Sequence, residues 1–246
     1  MVDYERRGPV AVVTIDRPDH RNAIDNDTAM ALREAWQRFD DDDGALIGVL
    51  TGAGEIFSAG ADLKKMDLQD RPAGWLGFSR MQVSKPTIAA VEGHCVAGGI
   101  EMALWCDLRV ASEEATFGCF ERRFGVPLVD GGTQRLPRIV GLGRALEMIL
   151  LGRPVEATEA REWGLVNRVV ETGAALDAAV EMAETIAEFP QETVRTDRSA
   201  VYDGLGEPLA QGLKIEGWHG SRSIDTGREG AERFAQGAGR GGEGIE

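Results

Sequence analysis

The chain has 246 residues, 43% of them hydrophobic and 28% charged, a balance that is typical of a globular protein and excludes a largely disordered one. Lys and Arg total 27 against 41 Asp and Glu, and the resulting net charge of −14 disfavours nucleic acid and anionic membrane surfaces as partners. No apolar run reaches the roughly 18 residues that cross a bilayer, and the first residues lack the apolar middle of a signal peptide, so we expect a cytoplasmic protein.

The cysteine and histidine content argues against a metal centre. Cys95, Cys106 and Cys119 are odd in number and lack the paired spacing of a zinc site, so they are predicted to be reduced core thiols. The chain contains only three His. We therefore expect no bound metal.

The first 52 residues predict a strand, a helix and a second strand. The segments "PVAVVTID" (9–16) and "ALIGVLTG" (45–52) are short, rich in Val, Ile and Leu, and end at Asp or Gly. Between them, apolar residues recur at helical spacing: Ala29, Leu32, Trp36 and Phe39. The acidic run 40–44 that follows lacks the alternating ligands of a calcium loop and is predicted to be a solvated turn.

The alternation of strands and helices continues through the middle of the chain. Segments 87–93 ("TIAAVEG") and 107–112 ("DLRVAS") are predicted strands that flank a helix beginning at Gly98. Parallel strands with helical crossovers are the expected arrangement. From Gly131 onward the signals are almost wholly helical, with one short strand at 166–170 ("VNRVV"), which predicts a helical layer on a mostly parallel core.

Glu101 is the one charged residue in the helix "GGIEMALWC" (98–106), which otherwise has no polar face. An ionised carboxylate buried there costs several kcal/mol, on the order of burial estimates, unless it is paired, hydrogen-bonded or protonated. Two interpretations stay open from the residues alone. Glu101 either forms a buried ion pair, for example with Arg109, or is a carboxyl of raised pKa suited to proton transfer.

Two glycine-rich segments favour the second interpretation. Gly98 and Gly99 open the Glu101 helix, where bare amides and the positive end of the helix dipole favour a developing negative charge. Upstream, "TGAGEIFSAGADLKKM" (51–66) fits no phosphate-binding motif, but its amides near Gly60 and Ala61 could supply a second donor. We expect a helix to begin there, with Asp62 as its N-cap.

A third segment, 115–137, carries Glu121 and Asp130 on chain interrupted by glycine. Carboxylates on loops are usually solvated, so these two are weak candidates by themselves. Arg122 and Arg123 are predicted to be a surface basic pair or partners for nearby acids. A guanidinium beside Glu121 would lower the pKa of that carboxyl.

Together these segments resemble the enoyl-CoA hydratase/isomerase family, the crotonase superfamily. The motifs are "FSAGADLKKM" (57–66), "VEGHCVAGGIEMALWCDLRVAS" (91–112) and "ATFG" (115–118) followed by "GGTQRLPRIVG" (131–141). The resemblance implies an α/β fold, a crotonase-like spiral of ββα repeats with a C-terminal helical layer. It further implies a core over residues 1–190, a helical trimerisation region over residues 191–246, and a homotrimer or a dimer of trimers.

The same resemblance implies a site and a reaction. The amides of Ala61 and Gly98 match the family's oxyanion hole, and Glu101 and Glu121 match its two catalytic glutamates. The predicted residues that bind the substrate are Ala59, Gly60, Asp62, Leu63, Lys64 and Asp130, with Lys65 and Arg21 as further candidates for the phosphates of coenzyme A. No cofactor is expected apart from the coenzyme A of an acyl-CoA substrate.

Hydration of a trans-2-enoyl-CoA is the activity we favour, and two alternatives remain. The family's dienoyl-CoA isomerases use an extra acid close to the position of Asp130, so an enoyl-CoA or dienoyl-CoA isomerase is one of them. The other is a noncatalytic protein that binds acyl-CoA. Segment 66–83, predicted to be variable and helical, contains Trp75, which we expect to line an acyl tunnel or the core.

Overall fold

The computed structural model describes residues 1–237. The sequence predicts that the Gly-rich tail "GAGRGGEGIE" (237–246) frays, and this tail lies outside the described residues from 238 onward. Within the described part the chain forms nine strands in two sheets. The strands are β1 (Val2–Arg7), β2 (Val10–Ile15), β3 (Ile47–Gly52), β4 (Thr87–Val91), β5 (His94–Val96), β6 (Leu108–Ser112), β7 (Thr116–Gly118), β8 (Val155–Glu156) and β9 (Arg168–Val170).

Nine α-helices lie in the same described part of the chain. They are α1 (Asn26–Asp41), α2 (Gly98–Trp105), α3 (Gly132–Val140), α4 (Leu142–Leu151), α5 (Ala157–Glu162), α6 (Ala175–Ala187), α7 (Gln191–Gly204), α8 (Leu209–Arg222) and α9 (Ile224–Ala235). Short 3-10 helices span Pro18–His20 and Phe120–Phe124.

The larger sheet has the strand order β1-β2-β3-β4-β6-β9 and is parallel except at one edge. The predicted parallel core is therefore confirmed from β2 to β9. The exception, β1, pairs antiparallel with β2 through a two-residue turn at Gly8 and Pro9, and Gly8 has a φ of +59°. The composition of β1 did not predict a strand because its residues are mostly polar and it forms an edge.

The smaller sheet, in the order β5-β7-β8, positions two functional segments. Strand β5 leads into α2, and β7 leads into the 3-10 helix Phe120–Phe124. The two strands are parallel neighbours in which Val96 pairs with Gly118, so the segments that follow them emerge at the same edge. The N–H of Ala97 donates to the carbonyl of Gly118 at 2.9 Å and joins the two segments directly. This pairing brings the start of α2 beside Glu121.

The core lies between the sheet and its helices. The residues predicted for the inner face of α1, Ala29, Leu32, Trp36 and Phe39, are all fully buried. The rings of Trp36 and Trp105 have centroids 4.7 Å apart, so α1 packs against α2. Each fully buried aromatic side chain stabilises the fold by roughly 2–3 kcal/mol, which makes this cluster a rigid support for α2.

The C-terminal helices form a layer with almost no core of its own. Helices α7 and α9 contain no buried residue, and α8 buries only His219. The layer is held to the body through Asp107, which accepts bonds from Arg198 at 2.8 Å and from the Tyr202 hydroxyl at 2.5 Å. The predicted helical layer is present, whereas its division from the core at residue 190 stays a prediction.

Two predicted helices are wrong. Asp62 begins a turn of the chain rather than a helix, and segment 66–83 contains turns and bends without helix. The reason at Asp62 is local, since its carboxylate satisfies the amides of Lys64 and Lys65 within a single turn. In segment 66–83, Met66 and two glycines, Gly74 and Gly77, have positive φ values that interrupt a helix.

The prediction of reduced core thiols is confirmed in the described residues. All three cysteines are buried and free. Among residues 1–237, no group of His, Cys, Asp or Glu side chains is arranged to hold a metal ion. No helix in that same range is both long enough and apolar enough to span a membrane. The acidic run 40–44 is a turn only in part, because α1 extends to Asp41 and the turn begins at Asp42.

Candidate active site

The two glycine-rich segments touch along their backbones. A Cβ added to Gly60 would lie 2.4 Å from the nitrogen of Gly98, and one added to Gly99 would lie 2.4 Å from the carbonyl oxygen of Ser58. Cβ atoms do not approach backbone this closely, so glycine is required at both positions. The close approach brings the amides of Ala61 and Gly98 into the same region.

Both of these amides lack a hydrogen-bond acceptor within the described structure, whereas both neighbours of Ala61 have one. The N–H of Gly60 donates to Ser58 Oγ at 3.1 Å, and the N–H of Asp62 donates to the carbonyl of Ile24 at 2.8 Å. Gly98 is the first residue of α2, so its N–H carries part of the positive end of the helix dipole. Two unpartnered donors beside a cavity are suited to binding an oxyanion.

Ala97, directly before α2, has a φ of +54° and a ψ of −126°. An L side chain rarely adopts this conformation, which costs on the order of 1–3 kcal/mol. Its N–H bond to Gly118 and the tight packing of Gly98 and Gly99 hold it there. This conformation of Ala97 turns the chain sharply after β5, so that the first amides of α2 face the cavity.

Glu101 is 3% exposed and is not paired with a cation. Its Oε1 accepts the N–H of Asp130 at 2.9 Å and the N–H of Gly132 at 2.8 Å, at the start of α3. Burial raises the pKa of this carboxyl to about 7, with Asp130 and Glu121 contributing and the two amide bonds opposing. The carboxyl is therefore divided between its two protonation states near neutral pH, as a general base or acid requires.

The alternative of an ion pair between Glu101 and Arg109 is wrong. The Arg109 guanidinium donates to main-chain carbonyls instead, to Leu165 at 2.6 Å and to Cys106 at 2.8 Å. The first of these carbonyls lies beyond α5 and the second at the end of α2, and the carbonyl of Ala103 accepts a further bond at 3.3 Å. Arg109 thus stabilises the end of α2 that is remote from the cavity.

Glu121 is 5% exposed, and neither of its carboxyl oxygens has a hydrogen-bond partner in the described structure. Burial raises the pKa of this carboxyl, and its own backbone amide and the Arg122 guanidinium oppose this only in part. Buried polar atoms without partners are rare in proteins and indicate a place where a ligand or water binds. A carboxyl in this setting is readily protonated.

The Arg122 guanidinium does lower the pKa of Glu121, as predicted, but burial raises this pKa by more, so the net shift is upward. The guanidinium of Arg122 donates to the carbonyl of Ile149, and that of Arg123 to the carbonyl of Gly152, at 3.2 and 2.9 Å. Both side chains thus bind the carboxyl end of α4, where cations are favoured by the helix dipole. Neither forms a salt bridge with Glu121.

A cavity of about 780 Å³ unites nearly all of the predicted site residues. Those that line it are Ala59, Ala61, Asp62, Leu63, Lys64, Gly98, Glu101, Glu121 and Asp130. Gly60 does not line the cavity, because it lies behind the wall against Gly98. Trp75 does line it, as expected.

The charged residues at one end of the cavity differ in whether they form salt bridges. Asp62 pairs with Arg17 at 3.2 Å, and Lys65 pairs with Asp25, so these two predicted binding residues are engaged in holding the loop. Lys64 and Arg21 line the cavity and are absent from the salt bridges of the described residues. Lys64 and Arg21 remain the candidates for binding an anionic ligand at this end of the cavity.

Several residues of the site were not predicted. The backbone amides of Asp130 and Gly132 hold Glu101, and the signal that could have identified them is the glycine pair at the start of α3. Much of the remaining wall is apolar and includes Leu76, Phe120, Phe124, Val126, Pro127 and Val129, whereas Asp19 and His20 also line the cavity. The apolar types are common in any core, so the sequence carries no sign that these residues line a cavity.

The raised pKa of Glu101 predicts a pH-dependent stability. Because the folded state binds the Glu101 proton more tightly, this stabilisation is present below the unfolded pKa near 4.5 and is lost as pH rises through about 7. Glu101→Gln removes the charge and keeps an oxygen for both amides. We expect the variant to exceed the parent in free energy of unfolding by about 2–3 kcal/mol at pH 8 and by almost nothing at pH 4.5.

Urea denaturation at both pH values measures this difference. Glu114→Gln is the control, since Glu114 is exposed and should change stability equally little at either pH. An equal gap between Glu101→Gln and the parent at pH 4.5 and pH 8 would contradict the assignment of a raised pKa.

Comparison with known proteins places this geometry in a family. The family model described as enoyl-CoA hydratase/isomerase matches residues 5–237. The chain belongs to the enoyl-CoA hydratase/isomerase family. The predicted crotonase-like α/β fold is confirmed, since the crystal structure of an enoyl-CoA hydratase from Mycobacterium tuberculosis H37Rv superposes with a TM-score of 0.91 at 35% identity, over 96% of this chain and 95% of that one.

Relatives that are named as hydratases are also similar in sequence. The short-chain-enoyl-CoA hydratase of Clostridium acetobutylicum is 40% identical over 224 residues, which cover 87% of this chain and 86% of the relative. The (E)-benzylidenesuccinyl-CoA hydratase of Thauera aromatica is 36% identical over 245 residues, 96% of each chain. The family thus includes hydratases whose names specify different acyl groups.

Proposed function

We propose that this protein is an enoyl-CoA hydratase that adds water across the double bond of a trans-2-enoyl-CoA thioester. The observation that carries the proposal is one cavity lined by two buried carboxyls without a cationic partner, Glu101 and Glu121, and by the unpartnered amides of Ala61 and Gly98. Relatives that are 34–40% identical and named enoyl-CoA hydratase support it.

The amides of Ala61 and Gly98 supply the oxyanion hole in this proposal. Attack of water on C3 of the enoyl group moves electrons onto the thioester oxygen and forms an enolate. Two donors on rigid backbone stabilise that charge without reorganising, and loss of one such donor typically lowers the rate by about 10²–10³. The dipole of α2 adds to the effect at Gly98.

The two glutamates divide the proton transfers. Glu101 accepts two amide bonds that favour its ionised form, so it takes the proton of the attacking water. Glu121 accepts no hydrogen bond from another residue within the described structure, and burial raises its pKa, so we assign to it the proton that is delivered to C2. The oxygen of water bonds to C3, and the C2–C3 double bond becomes single. One proton of water stays on the new hydroxyl group, the other passes to Glu101, and Glu121 gives its own proton to C2. Transfer of a proton from Glu101 to Glu121 then restores the starting state.

The remaining assignments follow from the same cavity. Coenzyme A binds along Ala59 to Lys64, with Lys64 and Arg21 near its phosphates, and the apolar walls hold the acyl group. Asp62 shapes this loop through Arg17 rather than contacting the ligand with its carboxylate. The reaction as written uses only side chains and main-chain amides, so no metal or other cofactor is proposed.

The C-terminal layer supports a homotrimer or a dimer of trimers. Large apolar side chains on α7 and α8 are more than half exposed in the single chain, among them Val201, Leu209, Leu213 and Trp218. A layer that buries so little on its own requires a partner surface, and a second copy of the chain is the proposed one. We place the protein in the cytoplasm, without nucleic acid or membrane as a partner, in keeping with its net charge of −14.

A panel of thioesters tests the proposed function. Incubation with trans-2-enoyl, 3-enoyl and 2,4-dienoyl thioesters is followed by absorbance and product mass, and we expect a gain of 18 Da only with the trans-2-enoyl substrate. A shifted double bond without a mass change would identify an isomerase. Binding of these thioesters without turnover of any would identify a noncatalytic protein that binds acyl-CoA.

A further inference from the structure

Asp130 contacts two walls of the cavity through different atoms. Its backbone N–H donates to Glu101 Oε1 at 2.9 Å. Its side-chain Oδ1 accepts the N–H of Trp75 at 2.8 Å, the N–H of Leu76 at 3.3 Å and the hydroxyl of Ser79. Since Asp130 is only 2% exposed, these bonds are shielded from solvent.

The wall that Asp130 holds has no regular structure of its own. Segment 75–79 lies within turns, and the chain approaches Asp130 through Gly74, which has a φ of +99°. A Cβ at Gly74 would lie 2.7 Å from Asp130 Oδ1, so the glycine allows this approach. Without the carboxylate, the partly buried amide of Trp75, the buried amide of Leu76 and the hydroxyl of Ser79 would have no acceptor, and the segment would lose its fixed position.

This wall adjoins the oxyanion segment. A Cβ placed on Gly98 would lie 3.2 Å from Leu76 Cδ1, so Leu76 packs directly over the first residue of α2. Arg135 strengthens the connection, since its guanidinium donates to the carbonyl of Asp130 at 2.9 Å and to that of Ser79 at 2.6 Å. Asp130 therefore lies between Glu101 on one side and the packing around Gly98 on the other.

We propose that Asp130 is a positioning residue that fixes Glu101 and the wall Trp75–Ser79 relative to each other, and that it exchanges no proton with the substrate. The assignment rests on the proposed function, because it assigns a role within that reaction. It replaces the expectation, drawn from isomerases of the family, that an acid near this position moves protons. Oδ1 accepts all three bonds and is occupied in structure, so proton exchange would require Oδ2, whose role the asparagine variant tests.

Substitution of Asp130 by asparagine distinguishes a positioning role from a proton-transfer role. Asp130→Asn keeps an oxygen that can accept the same three bonds but loses the ability to exchange a proton, whereas Asp130→Ala loses the acceptor altogether. We expect kcat of Asp130→Asn to stay within about fivefold of the parent. We expect kcat/KM of Asp130→Ala to fall at least about tenfold, with KM rising more for a longer enoyl thioester than for a four-carbon one.

Hydrogen exchange of the peptide that contains residues 74–80 provides a readout independent of activity. Its protection should persist in Asp130→Asn and fall at least about tenfold in Asp130→Ala. Ser79→Ala removes one donor and keeps the charge of Asp130, so it should lower the protection of residues 74–80 less than Asp130→Ala does. The Ser79→Ala variant remains informative if Asp130→Ala does not fold. Asp43→Asn, on the exposed turn, is the matched control.

Two results would overturn the proposal. Loss of activity in Asp130→Asn with protection of residues 74–80 retained would show a proton-transfer role. Retained activity and protection in Asp130→Ala would show that Asp130 positions nothing. If the parent chain hydrates no thioester but the exchange pattern is as expected, the proposed function fails while the contact made by Asp130 stands, so the two failures are distinguishable.

Discussion

Replacement of Glu101 or Glu121 by Gln is expected to lower kcat for hydration of a short trans-2-enoyl-CoA by about 10²–10⁴-fold, the range for loss of a general acid or base. Glutamine has nearly the same volume and cannot exchange the proton. At position 101 it retains an acceptor for the amides of Asp130 and Gly132, so the cavity should keep its shape. KM should therefore change by less than about threefold.

Steady-state kinetics with crotonyl-CoA, together with circular dichroism of each variant, measures this effect. Glu114→Gln is the matched control, because Glu114 is exposed and its substitution should leave kcat unchanged. The double variant should be little slower than the slower single variant, since the two carboxyls act on one water. Either single variant with unaltered turnover and intact fold would exclude that glutamate from the reaction.

Gly60→Ala is expected to cause the second large effect, on both stability and rate. Gly60 has a φ of +82°, and its added Cβ would lie 2.4 Å from the nitrogen of Gly98. A side chain at positive φ costs about 1–2 kcal/mol, and the contact with backbone raises the total loss of unfolding free energy to about 2–4 kcal/mol. The chain must separate there, which displaces a proposed oxyanion donor and should lower kcat by about 10²–10³-fold.

Gly143→Ala is the control for this substitution. Gly143 lies in α4 with open space around its Cα, and alanine there should stabilise the helix by about 0.5–1 kcal/mol without changing kcat. Thermal denaturation and kinetics of both variants give the comparison. Parental kcat in a folded Gly60→Ala would mean that the contact between the two segments does not set the position of the Gly98 amide.

The sequence was most informative where one residue type has a single physical explanation. Glu101 within an apolar helix and the glycines at the start of that helix indicated a functional site. A buried carboxylate and two glycines in a helix both lower the stability of the fold, so a role in binding or catalysis explains them. The strands β2, β3, β4 and β6 and the inner face of α1 were equally readable from their periodicity. These features depend on residues that are close in the chain.

The partners of the charged groups were decided only by the tertiary structure. Glu101 is held by main-chain amides about 30 residues away, Arg109 by carbonyls, and Arg122 by the end of α4. Nearly every residue carries the same main-chain donor and acceptor, so the residue types do not predict which of them bind a given side chain. The expected Glu101–Arg109 pair was wrong for this reason. The net pKa shift of Glu121 was likewise decided by its burial in the tertiary structure, which outweighs the lowering effect of Arg122.

What the sequence by itself determined is the kind of chemistry and the two backbone segments that support it, because burial and chain conformation there follow from local composition. What only the tertiary structure decided is the arrangement of acids around the cavity. Asp130 has the same sequence character as any loop carboxylate, and its contacts with both Glu101 and Trp75 exist because α3 begins where the irregular segment 75–79 packs over α2. Long-range packing of this kind has no local signature.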